Sequence, residues 1–230
     1  MALRLNRRSL AAGVAALLFM ARDAQTKPEQ LFDIVTGDGD VVRNFRIGPG
    51  LSPSGLPGVI MSGPAKADLT LYEFFDYGCP YCRTATQELD VLLQPGAGVR
   101  LGLVQNPILS QRSIDVARVV LAAARSHGDA AAYRLHVGYF DAPGRTSAEK
   151  ALAVAASQGL DAAALKREAD GAAISGILEA QVARARALSL PHTPSFVLGD
   201  FAFAGWPGAD VTESFFAAMR RCGGLRCPSP

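Results

Sequence analysis

The sequence predicts an α/β fold in which a helical block separates two parts of one sheet. Four segments are predicted as strands: ADLTLYEFF (67–75), VRLGLVQNPIL (99–109), SFVLG (195–199) and FAFAG (201–205). Helical spacing marks TATQELDVLLQ (84–94), an Ala-rich stretch from Ser110 to about Leu188, and ADVTESFFAAMRR (209–221). The predicted order is therefore strand, helix, strand, helical block, hairpin and helix.

The first 24 residues have the pattern of a secretory signal peptide. A basic segment with Arg7 and Arg8 precedes the uncharged stretch LAAGVAALLFM (10–20), which is short for a membrane span. An uncleaved anchor is the alternative, because Arg22 interrupts the small residues expected at a cleavage site. The paired arginines also resemble a twin-arginine export signal. We therefore expect an exported, periplasmic protein.

The exported part of about 200 residues can bury a full core without disulfides, since 49% of the chain is hydrophobic. Its 23 basic and 21 acidic residues give a net charge of +2, with no polybasic stretch after the signal. This argues against nucleic acid as a partner. Residues 25–60, rich in Gly and Pro, are predicted as an N-terminal extension with one strand from Asp40 to Ile47.

Cap residues divide the helical block into four or five short helices. Gly128 followed by Asp129 predicts one stop and one start, and Thr146 with Glu149 has the pattern of a capping box. Another Gly and Asp at 159–161 predict a further boundary.

The cysteines form two close pairs, and the first lies where a predicted strand ends and a helix begins. Helix N–H groups and the positive end of the helix dipole lower the pKa of a thiol placed at Cys79. Pro80 suits the first helical turn, and Cys82 lies one turn later on the same face, within disulfide reach. We predict a redox pair, with Cys79 as the exposed nucleophile and Cys82 as the buried resolving thiol. A zinc half-site and a structural staple are the alternatives.

The second pair, Cys222 and Cys227, follows the last predicted helix. Gly223 is placed to act as a left-handed cap, which lets the chain turn back within a few residues. We predict a structural disulfide that fixes the C-terminus. A second redox centre that relays electrons to the first pair is the alternative.

Two motifs together resemble one family. EFFDYGCPYC (73–82) and TPSFV (193–197) are similar to the DsbA-like branch of the thioredoxin superfamily, and the resemblance covers most of residues 60–220. It implies a thioredoxin fold with an inserted all-helical domain. Pro194 lies 112 residues after Cys82, a separation that suits the inserted form. The predicted division is a first half at 61–109, an insertion at 110–188 and a second half at 189–230.

The same resemblance assigns roles to residues around the pair. It implies that Pro194 follows a cis peptide bond and faces the cysteines, and that the backbone of Thr193 offers hydrogen bonds to an extended substrate. It also implies that Glu73 lies beneath the pair and assists proton transfer to the buried thiol. A solvated residue at the sheet edge is the alternative for Glu73, since burying an unpaired carboxylate is costly.

Three further residues complete the predicted substrate-binding set with Thr193: Pro80, Tyr81 and His192. A charged His192 ring would stabilise the Cys79 thiolate, and a solvated loop histidine is the alternative. His127 and His136 in the helical block receive no role.

The predicted function is dithiol–disulfide exchange at Cys79 and Cys82, forming disulfides in unfolded or partly folded exported proteins. The chemistry requires no metal, nucleotide or flavin cofactor, and the resemblance implies re-oxidation by a membrane quinone-linked partner. Tyr81 and Thr193 are similar to the residues at these positions in isomerase-type relatives, so disulfide isomerase or reductase is the alternative.

We expect a monomer, because residues 25–60 are short for the dimerisation domain of such isomerases. A periplasmic Cu(I)-binding protein is the alternative from another class.

Overall fold

The fold was analysed in a computed structural model of the 230-residue chain, which describes residues 28–36, 39–93, 96 and 98–228. The predicted signal peptide, residues 1–24, lies outside the described residues. Within the described ranges, no helix is both long enough and apolar enough to cross a membrane.

The described part of the chain contains one six-stranded sheet and seven helices. The strands are β1 (Arg43–Arg46), β2 (Ile60–Ser62), β3 (Leu69–Phe75), β4 (Val99–Gln105), β5 (Ser195–Leu198) and β6 (Phe201–Ala204). The helices are α1 (Pro80–Leu92), α2 (Gln111–His127), α3 (Asp129–Asp141), α4 (Ala148–Ser157), α5 (Ala162–Ala169), α6 (Ala172–Ala187) and α7 (Ala209–Cys222). The predicted order of strand, helix, strand, helical block, hairpin and helix is confirmed.

The strand order is β1-β6-β5-β3-β4-β2, which places β3 in the interior of the sheet. Strands β3 and β4 pair in parallel and are connected through α1, whereas the other neighbouring strands pair antiparallel. Side chains alternate between the faces of a strand, so Glu73 and Phe75 share one face and Phe74 lies on the other. Phe75 packs in the same core cluster as Cys79 and Cys82. Glu73 therefore lies on the face that carries the cysteine pair.

The helical block lies between β4 and β5 in the sequence and consists of α2 to α6. Gly128 has φ +80° and separates α2 from α3, as predicted. The prediction of a cap at Thr146 is wrong by one residue, because the Ser147 side chain accepts the hydrogen bond from Lys150 N. The block contains five helices, within the predicted four or five, but two of them are not short, since α2 has 17 residues and α6 has 16.

The N-terminal extension supplies one strand, as predicted, and a second strand that was not predicted begins at its last residue. Strand β1 pairs with β6 at one edge of the sheet, and β2 pairs with β4 at the other. Strand β2 has only three residues, too few to show an alternating pattern in the sequence. The extension therefore joins the sheet at the edge next to β6, and the segment that follows it joins at the edge next to β4.

Candidate active site

A short, fixed loop carries the chain from β3 to Cys79. The side chain of Asp76 accepts hydrogen bonds from Gly78 N at 2.6 Å and from Leu109 N at 2.8 Å, and its carbonyl accepts one from Cys79 N at 3.0 Å. A Cβ atom on Gly78 would lie 2.9 Å from Ser113 Oγ, so this position has room only for glycine. The loop holds Cys79 in one position relative to α1.

Cys79 is the N-cap residue of α1, and Pro80 occupies the first helical turn. The Cys79 thiol donates to Thr193 O at 3.2 Å, which joins the helix to the loop before β5. Cys79 is more exposed than Cys82, as predicted, but it is not an exposed residue: 5% of its surface is accessible, against 0% for Cys82. The surrounding chain, including Thr193, covers most of the nucleophile.

The environment of Cys79 lowers its thiol pKa to about 6. The largest cause is the hydrogen bond from the Cys82 thiol, and hydrogen bonds from the Thr193 side chain and from the backbone N–H groups of Cys82 and Tyr81 act in the same direction. Burial opposes them. The Thr193 carbonyl favours the protonated thiol by accepting a hydrogen bond from it, but the hydrogen bonds donated to the thiolate outweigh this effect.

Cys82 has the opposite electrostatic environment. Its burial raises the pKa of the thiol far above its ordinary value, and the hydrogen bond it donates to Cys79 and the negative charge of Glu73 raise it further. Both cysteines are free in this structure. The pair thus combines one thiol that ionises easily with one that holds its proton.

Glu73 is fully buried at the centre of β3, between Leu103 of β4 and Phe196 of β5. Neither of its carboxyl oxygens has a hydrogen-bond partner among the described residues. Burial, followed by the negative charge of the Cys79 thiolate, raises the pKa of Glu73 to about 8. The alternative of a solvated edge residue is therefore excluded, and the carboxyl group is protonated at neutral pH.

The loop before β5 faces Cys79. The Thr193–Pro194 peptide bond is cis, and Pro194 is buried. Ser195 Oγ donates to His192 O at 2.7 Å, and Gly205 N donates to Pro194 O at 2.8 Å. The His192 side chain is exposed, and no hydrogen bond between its ring and Cys79 is present in the described part of the chain.

His136, which sequence analysis left without a role, joins the helical insertion to the catalytic loop. Its Nδ1 is hydrogen-bonded to the Tyr77 hydroxyl at 3.2 Å and its Nε2 to Thr86 Oγ1 at 3.1 Å. The ring packs edge-on against Phe75, and burial lowers the pKa of His136 to about 3. A neutral imidazole from α3 therefore links the residues on both sides of the cysteine pair. The only signal in the sequence is the spacing of His136 from the buried Ala132 and Tyr139 along α3.

A groove of about 520 Å³ opens beside the loop at Pro194. Tyr81, 68% exposed, and Glu88 line it from α1. Trp206 lies in the same groove and donates from Nε1 to Glu88 Oε2 at 2.8 Å. The remaining wall, around Asp40 and neighbouring residues, comes from the N-terminal extension. Of the predicted substrate-binding residues, Tyr81 and Thr193 line the groove, whereas Pro80 and His192 do not.

The second pair, Cys222 and Cys227, forms a disulfide at the end of α7. Gly223 follows in the left-handed conformation, with φ +69°. Neither cysteine lines the groove beside Pro194.

The family model of the DSBA-like thioredoxin domain matches residues 70–220. The chain belongs to this family. Its members are thiol-disulfide oxidoreductases, and this protein is an enzyme of that class. The DsbA-like thioredoxin fold with a helical insertion, expected from the two motifs, is confirmed.

Solved structures share the fold of this DSBA-like protein. A thioredoxin-like oxidoreductase from Silicibacter pomeroyi DSS-3 is 30% identical, with a TM-score of 0.66, and the match covers 72% of this chain and 94% of that one. The thiol-disulfide exchange protein alpha-DsbA2 from Wolbachia pipientis is 21% identical (TM-score 0.63, 69% and 85% covered). A periplasmic thioredoxin-like protein from Salmonella enterica serovar Typhimurium is also 21% identical (TM-score 0.61, 74% and 95% covered). No curated protein matches the chain.

Proposed function

We propose that this DSBA-like protein is an exported oxidase that transfers the Cys79–Cys82 disulfide to thiol pairs of exported proteins. The difference between the two thiols supports this direction: Cys79 has a pKa of about 6, and burial raises that of Cys82. Stabilising a thiolate stabilises the reduced enzyme, and a more stable reduced form makes the disulfide a stronger oxidant.

The first step is attack of a substrate thiolate on Cys79 Sγ of the oxidised pair. A mixed disulfide forms, the Cys79–Cys82 bond breaks, and Cys82 leaves as a thiolate. Because Cys82 is the stronger base, it takes the proton of Glu73, whose carboxyl group has a pKa of about 8. Glu73 thus acts as the proton donor in oxidation of substrate and as the acceptor when the pair is re-oxidised.

In the second step another substrate thiolate attacks the substrate sulfur of the mixed disulfide. Cys79 leaves as a thiolate, which its low pKa favours. The substrate has then lost two electrons and two protons. The enzyme holds the Cys79 thiolate and the Cys82 thiol, and the two protons go to Glu73, which restores its protonated carboxyl group, and to solvent. An electron acceptor must re-oxidise the pair, and we assign this role to a membrane quinone-linked partner.

The groove beside Pro194 holds the substrate during these steps. Thr193 precedes the first residue of β5, Ser195, so its backbone is outside the strand pairing of the sheet. An extended polypeptide that pairs with Thr193 would pass directly over Cys79, whose thiol lies 3.2 Å from Thr193 O. Pro80 and Tyr81 flank this path.

The compartment is proposed as the periplasm. The signal-like pattern of residues 1–24 supports this proposal, as does the resemblance to the periplasmic thioredoxin-like protein from Salmonella. Cell fractionation of the tagged full-length chain tests the proposal, and retention in the cytoplasm would contradict it.

The equilibrium of the pair with glutathione tests the direction of exchange. We expect a reduction potential nearer the range of about −180 to −120 mV found in oxidising relatives than the −270 mV typical of thioredoxin. A potential at or below the thioredoxin value would indicate a reductase. A scrambled-ribonuclease assay supplies the second criterion: efficient isomerisation without added oxidant would favour the isomerase alternative.

A further inference from the structure

We propose that the N-terminal extension forms a selective wall of the substrate groove and favours protein segments that carry a cationic side chain close to the reacting cysteine. The wall consists of Thr36 and residues 40–42. The inference rests on the proposed function, because it names the class of substrate that the same site accepts. Residues 36–42 precede the family match, which starts at residue 70.

The wall is held in place by hydrogen bonds within the N-terminal extension. Val42 N donates to Ile34 O at 2.8 Å, and Thr36 N donates to Asp40 O at 2.9 Å. Asp40 N in turn donates to Thr36 Oγ1 at 3.0 Å. These bonds position Asp40 and Val41 at the groove.

The wall is also adjacent to the loop at Pro194. A Cβ atom on Gly205 would lie 3.6 Å from the Val42 side chain, and Gly205 N donates to Pro194 O. Strand β1, which continues from the wall, pairs with β6 from Arg43 opposite Ala204. A substrate bound at Pro194 would therefore lie against the extension.

The groove has room and apolar surface for side chains of a polypeptide. Its volume of about 520 Å³ lies within the range of roughly 300–1,000 Å³ typical of ligand clefts. Val41 is 64% exposed and Tyr81 is 68% exposed, and both line the groove with Trp206. Exposed apolar side chains that meet at one cleft are typical of an interaction site.

The charged side chains of the groove all have one sign. Asp40 and Glu88 are acidic, and none of the described residues that line the groove is basic. The chain as a whole has a net charge of +2, so the acidic groove is a local feature. Arg43, the nearest basic residue in the sequence of the wall, donates instead to Pro28 O and lies over the Phe45 ring.

The other side of the cysteine loop has the opposite charge. A second cavity reaches Gly78 and is lined by Arg112 and Arg145. Complementary charge at an interface discriminates between partners. The groove side of Cys79 therefore favours peptides with a cationic side chain there, and the side with Arg112 and Arg145 favours an anionic one.

Single-cysteine peptides test this inference. Two sets of three extended peptides of equal length carry Lys, Gln or Glu at one position, two residues before the cysteine in the first set and two residues after it in the second. The preference is expected in the set whose variable residue faces the groove rather than Arg112 and Arg145. Each is mixed with the oxidised full-length protein, and the mixed disulfide is trapped by acid before Cys82 reverses it. Its initial rate constant of formation is divided by the rate constant of the same peptide with the uncharged bis(2-hydroxyethyl) disulfide. This correction removes the effect of peptide charge on the thiol itself. We expect the Lys peptide to react about two- to fivefold faster than the Glu peptide at low salt, with a smaller ratio at high salt.

Two substitutions and one matched control assign the preference to the wall. Asp40→Asn should lower the Lys-to-Glu ratio, and Asp40→Lys should invert it. Asp33→Asn makes the same change of charge in the same extension, but Asp33 is exposed and does not line this groove, so the ratio should stay at the wild-type value. Thermal unfolding of each variant checks that the fold is kept.

The possible failures are distinct. Equal corrected rates within both sets of peptides, or equal losses of preference in Asp40→Asn and Asp33→Asn, would overturn the selective wall and leave the oxidase proposal standing. If a peptide with two cysteines does not reduce a Cys79–Cys82 pair that dithiothreitol reduces readily, the proposed function itself is wrong.

Discussion

The two cysteine pairs of this chain lie at opposite ends of helices, and their chemistry differs accordingly. Cys79 precedes the first turn of α1, where backbone N–H groups are available to a thiolate. Cys222 ends α7, where the unpaired groups are carbonyls and the helix dipole disfavours negative charge. The first pair is free and the second is bonded. Close spacing alone therefore does not make a pair reactive.

The groups around each pair add to the difference. The first pair has the buried Glu73 beneath it and Thr193 against it, and both of its cysteines are almost completely covered. Cys222 is exposed and Cys227 is half-buried. A reactive pair needs a group that exchanges a proton with the buried thiol and hydrogen-bond donors to the thiolate. Among the described residues, only the Cys79–Cys82 pair has both.

The largest expected effect comes from removing the thiols of the first pair. Cys79→Ser should abolish oxidation of a dithiol substrate, because no sulfur remains for the first attack. Cys82→Ser should accumulate mixed disulfides on Cys79, because the resolving thiol is lost. Non-reducing gels and mass spectrometry of the trapped complexes measure both outcomes. Traps that form on Cys82 in the Cys79→Ser variant would reverse the assignment of roles.

The next expected effect concerns the acidity of Cys79. In the reduced protein, the rate of alkylation by iodoacetamide should rise with pH to a plateau with a midpoint near pH 6, where the Cys79 thiol ionises. Cys82→Ala should move this midpoint upward, since the hydrogen bond from Cys82 is the main cause of the low pKa. A midpoint near the value of an ordinary thiol, about 8.5, would contradict the electrostatic account of the pair.

The local features of the site could be predicted from the sequence. The strand before the pair, Pro80 in the first turn of α1 and the turn at Gly223 each depend on a few consecutive residues. Local rules for caps and periodicity therefore identified them. The helical insertion was predicted because it is long and uninterrupted by strand patterns.

The features that local sequence patterns could not decide depend on contacts between distant segments. The burial of Glu73, which the family resemblance implied, results from the position of β3 between β4 and β5, and the residues of a single strand cannot reveal this position. His136 lies 59 residues from Tyr77 in the sequence and reaches it only when α3 packs against the sheet and α1. The selective wall depends on the pairing of β1 with β6. The sequence therefore predicted which residues react, but not how other residues surround them.

Glu73 gives the third prediction, which concerns stability of the reduced protein as a function of pH. Its pKa is about 8 in the folded protein and near the ordinary value of 4.5 when unfolded. Between these values the folded state binds a proton that the unfolded state lacks, so the contribution of Glu73 to stability falls as pH rises from 4.5 to 8. The Glu73→Gln variant does not have this loss. Its free energy of unfolding minus that of wild type should therefore increase by about 3 to 5 kcal/mol from pH 4.5 to pH 8.

Urea unfolding at pH 5 and pH 8 measures this difference. Glu88→Gln is a matched control, because the half-buried Glu88 is already hydrogen-bonded to Trp206. The stability difference between Glu88→Gln and wild type should change much less between the two pH values. If the free energies of unfolding of Glu73→Gln and wild type differ by the same amount at pH 5 and pH 8, Glu73 is ionised in the folded protein. The proposed mechanism would then have no proton donor.

The smallest expected effect concerns the second pair. The Cys222–Cys227 disulfide closes a short loop, with a sequence separation of 5. The chain-entropy model gives such a loop about 2 kcal/mol of stabilisation. Replacing both cysteines by Ser should lower the thermal midpoint modestly and leave dithiol oxidation at Cys79 unchanged, because neither residue contacts the groove or the catalytic loop. A large loss of turnover with the fold preserved would instead place the tail pair in the path of electrons to Cys79, and the contrast between a reactive pair and a structural pair would no longer hold.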